Sequence, residues 1–450
     1  MIDFHLVLLI FVYSIFFVIL LSNTVKYIKK NHSITIMTLC RSMYVVAFVI
    51  IPIMTYSVYL KGFITSTLYY DDYIWTHYII FMCAVVAYYS MEFGYKIRQQ
   101  KLGKKYRLAK KSFIMLITIL MLISIISLFL WASGFGGVKE LINNANSIRA
   151  GFVTSSNNKA FFKHFVPMSM IVSFIAFKCL FVDKVKIHII KKIYVFFLFI
   201  VSITVSVLFI LSNDGRMLAG VYIILFFLLV IKNEYEAKNK SLKYIFFKTL
   251  ILSILTIILI INADNIFRLI KGKSIVVASA VGEKSNIFST LASEFSFTLT
   301  GTQQAIILNI IGDGKLTILN DMINGIFAWL PSALKPCILQ DVWDYNTALL
   351  NTGIYGQLPT SILAQSIYDL GIIGVFFIPF LYGLVIKKIE RVLGAYDGDI
   401  FFNTIYIVLG FYLAKGIMYF SIYNIMMNIF FIVAACIIYK ILKKYKRGLV

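Results

Sequence analysis

The chain has 450 residues, of which 60% are hydrophobic and 14% are charged, and its mean hydropathy is +0.87. Soluble domains average roughly 45–50% apolar and about 25% charged residues, so this composition excludes soluble globular, disordered and disulfide-rich secreted proteins. The net charge of +23 does not indicate nucleic-acid binding, because the basic residues form short clusters between long apolar runs. The composition predicts an all-α polytopic integral membrane protein.

About eleven apolar runs approach the roughly 20 residues that a transmembrane helix needs. They are residues 4–22, 42–60, 73–93, 113–131, 161–182, 193–211, 217–232, 249–262, 361–386, 400–418 and 423–440. The run 249–262 is short and its end is poorly defined. The first run has no basic residues before it, so we expect a retained span and not a cleaved signal peptide.

The distribution of lysine and arginine predicts the orientation. Six segments hold 29 of the 43 basic residues, namely 26–41, 94–112, 183–192, 232–248, 387–399 and the tail from Lys440. Cytoplasmic loops of membrane proteins are enriched in Lys and Arg. An odd number of spans then places the N-terminus outside and the C-terminus in the cytoplasm.

A long polar segment, residues 263–360, separates transmembrane helices 1–8 (residues 1–262) from helices 9–11 and the basic tail (residues 361–450). It has 98 residues with six Lys or Arg and seven Asp or Glu, so it is nearly neutral, unlike the six basic segments. We expect it to be a large periplasmic loop that contains short helices.

Two parts of this loop, residues 303–312 and 316–330, mix apolar and polar residues at roughly helical spacing. Such segments often lie in the plane of the membrane interface, where tryptophan is enriched. We therefore expect short helices against the bilayer surface, with Trp329 and Trp343 near the lipid headgroups.

The candidate anion-binding residues are the three arginines on the outer side, Arg149, Arg216 and Arg268. The chain prefers lysine, with 35 Lys against 8 Arg, and a guanidinium group binds phosphate oxygens bidentately, so these arginines are candidates for a diphosphate clamp. Lys415 joins them, because a charge near the outer end of a span is costly unless it faces a polar cavity. The alternative is interfacial cations and, at Arg216, a turn with an Asp214–Arg216 surface pair.

Two acids are candidates for a catalytic base. Glu294 sits in the otherwise apolar stretch Ala-Ser-Glu-Phe-Ser-Phe, and Asp369 lies inside a predicted span, where acids are usually functional. The alternative for Glu294 is a helix N-terminal acid or a solvated loop residue, and Asp341 and Asp344 are similar cases.

No metal site is predicted. The pair Asp71-Asp72 fits a solvated turn better than a divalent metal site, and Asp397-Gly398-Asp399 resembles a DxD motif but falls on the cytoplasmic side. The five histidines and five cysteines have no ligand spacing. No P-loop, Rossmann, HExxH or GxSxG motif occurs, so no nucleotide cofactor is expected.

A motif around the end of the long loop carries a family pattern. Residues 356–365 read Gly-Gln-Leu-Pro-Thr-Ser-Ile-Leu-Ala-Gln, and residues 368–375 read Tyr-Asp-Leu-Gly-Ile-Ile-Gly-Val. This is a Pro-Thr segment that leads into a span with an aromatic residue and then Gly-Ile-x-Gly. Residues 329–336 add a Pro-Ser-x-x-x-Pro element before it.

Together with an Asn-Asp-Gly-Arg turn at residues 213–216, the acid Glu294 and the late position of the long loop, these motifs resemble the Wzy-type O-antigen (oligosaccharide repeat-unit) polymerases. The resemblance implies a glycosyltransferase of lipopolysaccharide biosynthesis in the bacterial inner membrane, with its active site facing the periplasm. It implies undecaprenyl-diphosphate-linked glycans as donor and acceptor. A chain-length regulator and a flippase are the partner proteins that it suggests.

Two alternatives remain open on these motifs. An O-antigen ligase would use the same donor with a lipid A–core acceptor. A flippase or other transporter of lipid-linked oligosaccharides would instead place its functional charges at mid-membrane and would not need a long ordered outer loop.

Overall fold

The structure is a computed structural model of the chain. It describes residues 2–61, 73–97, 110–149, 152–153, 155, 158–185, 188–213, 215–236, 240–241, 243–244, 247–248, 250–251, 291–292, 294–310, 312, 316–317, 320–330, 342–350, 358–396 and 398–447. Throughout these residues the regular secondary structure is helical.

The helices are numbered here in chain order. They are α1 (Ile2–Asn31), α2 (Ile36–Leu60), α3 (Ile74–Lys96), α4 (Lys110–Ser133), α5 (Val138–Asn143), α6 (Ala145–Arg149), α7 (Lys159–Val182), α8 (Ile189–Ser212), α9 (Arg216–Glu236), α10 (Phe297–Ile310), α11 (Asn320–Ile326), α12 (Val342–Leu350), α13 (Ile362–Leu370), α14 (Gly374–Gly394), α15 (Ile400–Met418) and α16 (Ile422–Arg447).

Ten helices in the described part are long and apolar enough to cross a membrane, with α13 and α14 counted together as one candidate span. This confirms the prediction of an all-helical polytopic membrane protein at that level. The predicted span 249–262 lies outside the described residues except for residues 250 and 251. Helices suit this solvent because each helix satisfies its own backbone hydrogen bonds, which lipid cannot do.

The chain divides into two compact units. The first comprises Met1–Leu102, Gly282–Val392 and Gly410–Met427, and the second comprises Gly103–Val281, Leu393–Leu409 and Asn428–Val450.

Several charged side chains within the spans of the first unit have close polar partners. Arg41 of α2 donates two hydrogen bonds to Glu92 of α3, at 2.6 and 2.7 Å, and its guanidinium lies 4.0 Å from the centre of the Tyr27 ring. Glu390 of α14 accepts from the Tyr95 hydroxyl at 2.5 Å and from the Met37 amide at 3.0 Å. An unpaired charge in hydrocarbon is costly, so these contacts tie α2, α3 and α14 together.

Close backbone contact also joins α3 to α14. A Cβ atom placed on Gly94 would lie 2.1 Å from the Phe380 carbonyl oxygen, and one on Gly383 would lie 2.1 Å from the Met91 carbonyl oxygen. Small residues at membrane helix contacts allow this approach, and van der Waals packing then stabilises the pair.

The candidate span at residues 362–394 is broken near its middle. Helix α13 ends at Leu370, and Gly371 adopts a φ of +67°, which glycine tolerates and other residues rarely do. A short turn, Gly371–Ile373, then leads into α14. Nearly all of α13 is buried in the first unit, and so is Gly371, whereas Ile372 and Ile373 of the turn are exposed.

The structure corrects the prediction for the first helix of the long loop. Helix α10 begins at Phe297, earlier than the predicted residue 303, and most of its residues up to Ile306 are buried. It packs against α3 and α13 and does not present an exposed amphipathic face. The polar residues on α10 satisfy one another and neighbouring helices, which makes burial possible without a clear polar face.

The second unit is held by hydroxyl groups and aromatic rings. Ser206 of α8 donates to Ser169 of α7 at 3.0 Å, and the Tyr222 hydroxyl of α9 donates to Ser173 at 2.9 Å. Phe226 contributes ring contacts to this side of α9, with the Phe174 ring centre at 4.8 Å. Such interhelical bonds help association in lipid, where burial of apolar surface gives no advantage.

We predict that Gly383→Ala lowers the thermal unfolding midpoint of the detergent-solubilised protein. The new methyl group must push α14 away from the Met91 carbonyl, and overpacking of this kind costs about 1–3 kcal/mol. Gly394→Ala is the matched control on the same helix, because a Cβ there meets nothing within 4 Å. Its midpoint should stay constant or rise, and equal losses in the two variants would contradict the close contact.

Candidate functional site

A turn between α15 and α16 lies against the end of the long loop. The Phe420 amide donates to the Thr360 carbonyl oxygen at 2.7 Å, and the Thr360 hydroxyl donates to the Phe420 carbonyl oxygen at 2.8 Å. Two helical crossings, residues 362–394 and 400–418, separate these residues in the chain. The bonds therefore show that the chain returns to the same end of the first unit.

Three further side chains of the long loop bond to this region. The Trp343 indole donates to the Phe420 carbonyl oxygen at 3.0 Å, and the Trp329 indole donates to the Met426 carbonyl oxygen at 2.9 Å. Asp321 is fully buried and accepts hydrogen bonds from the Ser421 hydroxyl, at 2.8 Å, and from the Ile422 amide. The carboxylate thus lies at the N-terminus of α16, where the helix dipole favours negative charge.

We call Glu294, Tyr419 and Lys415 the tyrosine cluster. The Lys415 ammonium lies 5.2 Å from the centre of the Tyr419 ring, a cation–π distance. The same ring packs on Phe297 with centres 4.9 Å apart, and the charge of Glu294 acts on the Tyr419 phenol. The Tyr419 phenol thus lies beside a cation and within electrostatic range of a carboxylate.

Burial raises the pKa of the Tyr419 phenol above its ordinary value, and the nearby Glu294 carboxylate raises it further. Both effects disfavour the charged phenolate. Tyr419 therefore stays protonated at neutral pH, and its hydroxyl can donate a hydrogen bond to an anionic oxygen.

The structure places Glu294 differently from the apolar setting that its sequence neighbours suggest. Its side chain is exposed, whereas Ser296 and Phe297, close by in the chain, are buried. The reason is helical geometry, since neighbouring positions point to different faces of a helix. Glu294 is thus accessible from outside the unit.

Asp369 is placed at a different point in the first unit. It is 1% exposed and accepts hydrogen bonds from the Thr317 hydroxyl at 2.6 Å and from the side-chain amide of Gln365 at 2.9 Å. The Thr317 amide also donates to the Tyr368 carbonyl oxygen at 2.9 Å. Each carboxylate oxygen therefore has a neutral donor, and the acid joins residues 316–317 to the end of α13.

Two of the three candidate arginines, Arg149 and Arg216, belong to the second unit. Arg149 ends α6 and Arg216 begins α9, directly after the turn in which the Gly215 amide donates to the Ile210 carbonyl oxygen at 3.3 Å. Arg268 lies outside the described residues. Among the predicted site residues that the structure describes, Lys415 contacts the Tyr419 ring, and Glu294 lies within electrostatic range of the same phenol.

Comparison of the chain with protein-family models, curated proteins and solved structures found no match. The functional argument therefore depends on the residues of the chain itself.

A second polar group, which the sequence reasoning missed, lies within the buried helices of the first unit. The Gln303 amide of α10 donates to the Thr76 hydroxyl at 2.9 Å and lies 3.4 Å from the His77 ring, whose other nitrogen is 3.0 Å from the Tyr56 hydroxyl. Thr302 bonds to Ser361 at 3.1 Å. The run Thr-Leu-Thr-Gly-Thr-Gln at 298–303 was the available signal, since polar residues this dense need partners when buried.

The acidic motif at residues 397–399 has a structural role where it is described. Asp399 accepts from the Phe401 amide at 2.9 Å and from the Tyr439 hydroxyl at 2.7 Å. It is the N-cap of α15. Asp71, Asp72, Asp341 and Asp397 lie outside the described residues.

We predict that Asp321→Ala speeds hydrogen exchange of the backbone amides at the turn between α15 and α16. Hydrogen bonds to a charged group contribute about 1.5–3 kcal/mol, so the Ile422 amide should exchange roughly 10–100 times faster in hydrogen–deuterium exchange. Asp344→Ala is the control, because Asp344 is an exposed acid in the same loop. Unchanged protection of Ile422 in the Asp321 variant would contradict the assigned contact.

Proposed function

We propose that the protein is a glycosyltransferase that polymerises undecaprenyl-diphosphate-linked oligosaccharide repeat units at the periplasmic face of the bacterial inner membrane. The resemblance of residues 329–375 to Wzy-type O-antigen polymerases suggests this function. The observation that carries it further is the tyrosine cluster, which unites a cation, a hydrogen-bond donor and an accessible carboxylate beside the long loop.

The reaction requires two kinds of groups. The acceptor hydroxyl loses its proton to a base, and its oxygen bonds to the anomeric carbon of the donor glycan. The bond from that carbon to the diphosphate oxygen breaks, and undecaprenyl diphosphate leaves with the electron pair. A base must therefore face the acceptor, and cations or hydrogen-bond donors must stabilise the charge that develops on the diphosphate.

Glu294 is our first choice for the base, because its carboxylate is exposed and lies within electrostatic range of Tyr419. Lys415 and the Tyr419 hydroxyl are suited to the diphosphate oxygens, one as a cation and the other as a donor. The Lys415 ammonium lies over the Tyr419 ring, a contact that orients it.

Asp369 is the second choice for the base. Its two oxygens already accept hydrogen bonds from Thr317 and Gln365, so a substrate proton would have to compete with them. Those contacts instead favour a role in holding the loop to α13.

Arg149, Arg216 and Arg268 remain the sequence-based candidates for binding the diphosphate. The sequence argument for them is the bidentate match between guanidinium and phosphate, on segments predicted to lie outside the membrane. The proposed reaction needs no nucleotide, because the diphosphate is already attached to the donor as its leaving group, and we propose metal independence because the sequence has no metal-ligand spacing.

The glycan ladder of a deletion strain separates this proposal from its alternatives. Loss of a polymerase leaves single repeat units on lipid A–core. Loss of a ligase leaves lipid A–core with no O-antigen, while polymer still forms on its lipid carrier. Loss of a flippase leaves no O-antigen on lipid A–core and no polymer on the carrier. A pattern of the second or third type would replace the proposed function with O-antigen ligase or with a flippase.

We predict that Arg216→Ala and Lys415→Gln each collapse the ladder to short products when they replace the native chain in that strain. Each loses a cation that stabilises the leaving diphosphate, and removal of one such group typically lowers the rate about 10²–10³-fold. The readout is the ladder on a gel, with the amount of protein in the membrane measured alongside.

Lys139→Ala is the matched control, because Lys139 is an exposed cation in the segment 132–160, which is predicted to be outside. Its ladder should match that of the native chain. A normal ladder in Arg216→Ala or in Lys415→Gln would remove that residue from the diphosphate site.

A further inference from the structure

A cavity of about 580 Å³ lies where α7 ends and α8 begins, entirely within the second unit. It is lined by residues from both helices and from their connection: Cys179, Leu180, Phe181, Lys184, Val185, Ile189, Lys192, Ile193 and Phe196. Small-molecule sites in proteins have volumes of about 300–1,000 Å³, so this cavity is large enough for a ligand. The site proposed above includes none of these residues.

The backbone explains why the cavity exists. Helix α7 finishes in a widened turn in which the Asp183 amide donates to the Lys178 carbonyl oxygen, five residues back, at 2.8 Å. The Val185 amide then donates to the Cys179 carbonyl oxygen at 3.1 Å, and Lys184 between them has a φ of +47°. A non-glycine residue in this conformation is uncommon. The chain is thus drawn back over the end of α7 before α8 starts.

The exposed charged side chains that line the cavity are positive. Asp183 is the acid of this connection, and its carboxylate accepts from the Lys178 ammonium at 2.8 Å. Lys178 therefore neutralises Asp183, whereas Lys184 and Lys192 are exposed and line the cavity. Two cations at the rim of an otherwise apolar cavity favour an anionic group there.

The apolar part is exposed as well. Phe181 on α7 and Ile193 and Phe196 on α8 have exposed side chains, 49%, 62% and 48% respectively. These residues continue from the lysines along the membrane-spanning part of the two helices. A free anion would gain nothing from them, whereas an acyl chain would lie against them.

We infer that this cavity binds an anionic phospholipid of the inner leaflet, with its phosphate between Lys184 and Lys192 and an acyl chain along Phe181, Ile193 and Phe196. Basic pockets between transmembrane helices on the cytoplasmic side are suited to such headgroups. The connection is part of 183–192, one of the six basic segments predicted to be cytoplasmic. This lipid is neither donor nor acceptor in the proposed reaction, so the inference stands independently of it.

Native mass spectrometry of the full chain in detergent tests the headgroup. Phosphatidylglycerol, phosphatidylcholine and inorganic phosphate are titrated separately, and phosphatidylglycerol should give the tightest first adduct. One lysine near an anionic headgroup is worth about 1 kcal/mol, so Lys184→Gln and Lys192→Gln should each weaken that adduct about fivefold. Lys191→Gln is the matched control, an exposed lysine next to Lys192 that does not line the cavity, and it should bind as the native chain does.

Three outcomes would overturn the inference. Equal affinity for the two lipids would remove the role of the headgroup charge. Competition by inorganic phosphate at the same concentration as the lipid would indicate a free-anion site. An equal loss in Lys191→Gln would indicate a general effect of net charge.

A second measurement locates the acyl chain. Phe196→Trp places an indole at the cavity, and brominated phosphatidylglycerol in vesicles should quench its added fluorescence more than brominated phosphatidylcholine does. The parent protein, with its four native tryptophans, gives the background. Equal quenching by the two brominated lipids would contradict binding at this cavity.

Discussion

The reciprocal hydrogen bonds between Thr360 and Phe420 are the constraint on which the described site depends. They join the end of the long loop to the turn between α15 and α16, and the Trp343 indole shares the Phe420 carbonyl oxygen. Asp321 holds the next residues of the same turn. Because the turn is fixed from several directions, Tyr419 in the turn and Lys415 just before it are fixed as well. A site that stabilises developing charge needs this kind of rigid support.

The break between α13 and α14 provides the other part of that support. Gly371 lets the chain leave α13, and Asp369 and Tyr368, just before it, bind the loop residues Thr317 and Asn346. A continuous transmembrane helix would not end at this point, and its residues would not be placed to bind the loop. The loop is therefore packed into the first unit through buried polar contacts, each of which is satisfied by a partner.

The second unit shows a different use of charge. At the connection of α7 to α8, Lys178 neutralises Asp183, and this leaves the exposed Lys184 and Lys192 at the cavity. Basic residues in such loops set the orientation of a membrane protein. Two of these lysines also line a cavity, which gives them a defined binding position. Topological and lipid-binding roles are compatible, because both depend on the same positive charge near the headgroups.

The sequence alone determined the class of protein, because long apolar runs require a lipid solvent and lipid requires helices. It also identified Glu294, Asp369 and Lys415 as unusual, since charges near or within spans are costly. Only the tertiary structure decided that Lys415 lies beside Tyr419 with Glu294 in electrostatic range, that Asp369 binds Thr317 and Gln365, and that α10 is buried. These contacts join residues far apart in the chain, and hydropathy and charge patterns carry no information about which distant partners meet.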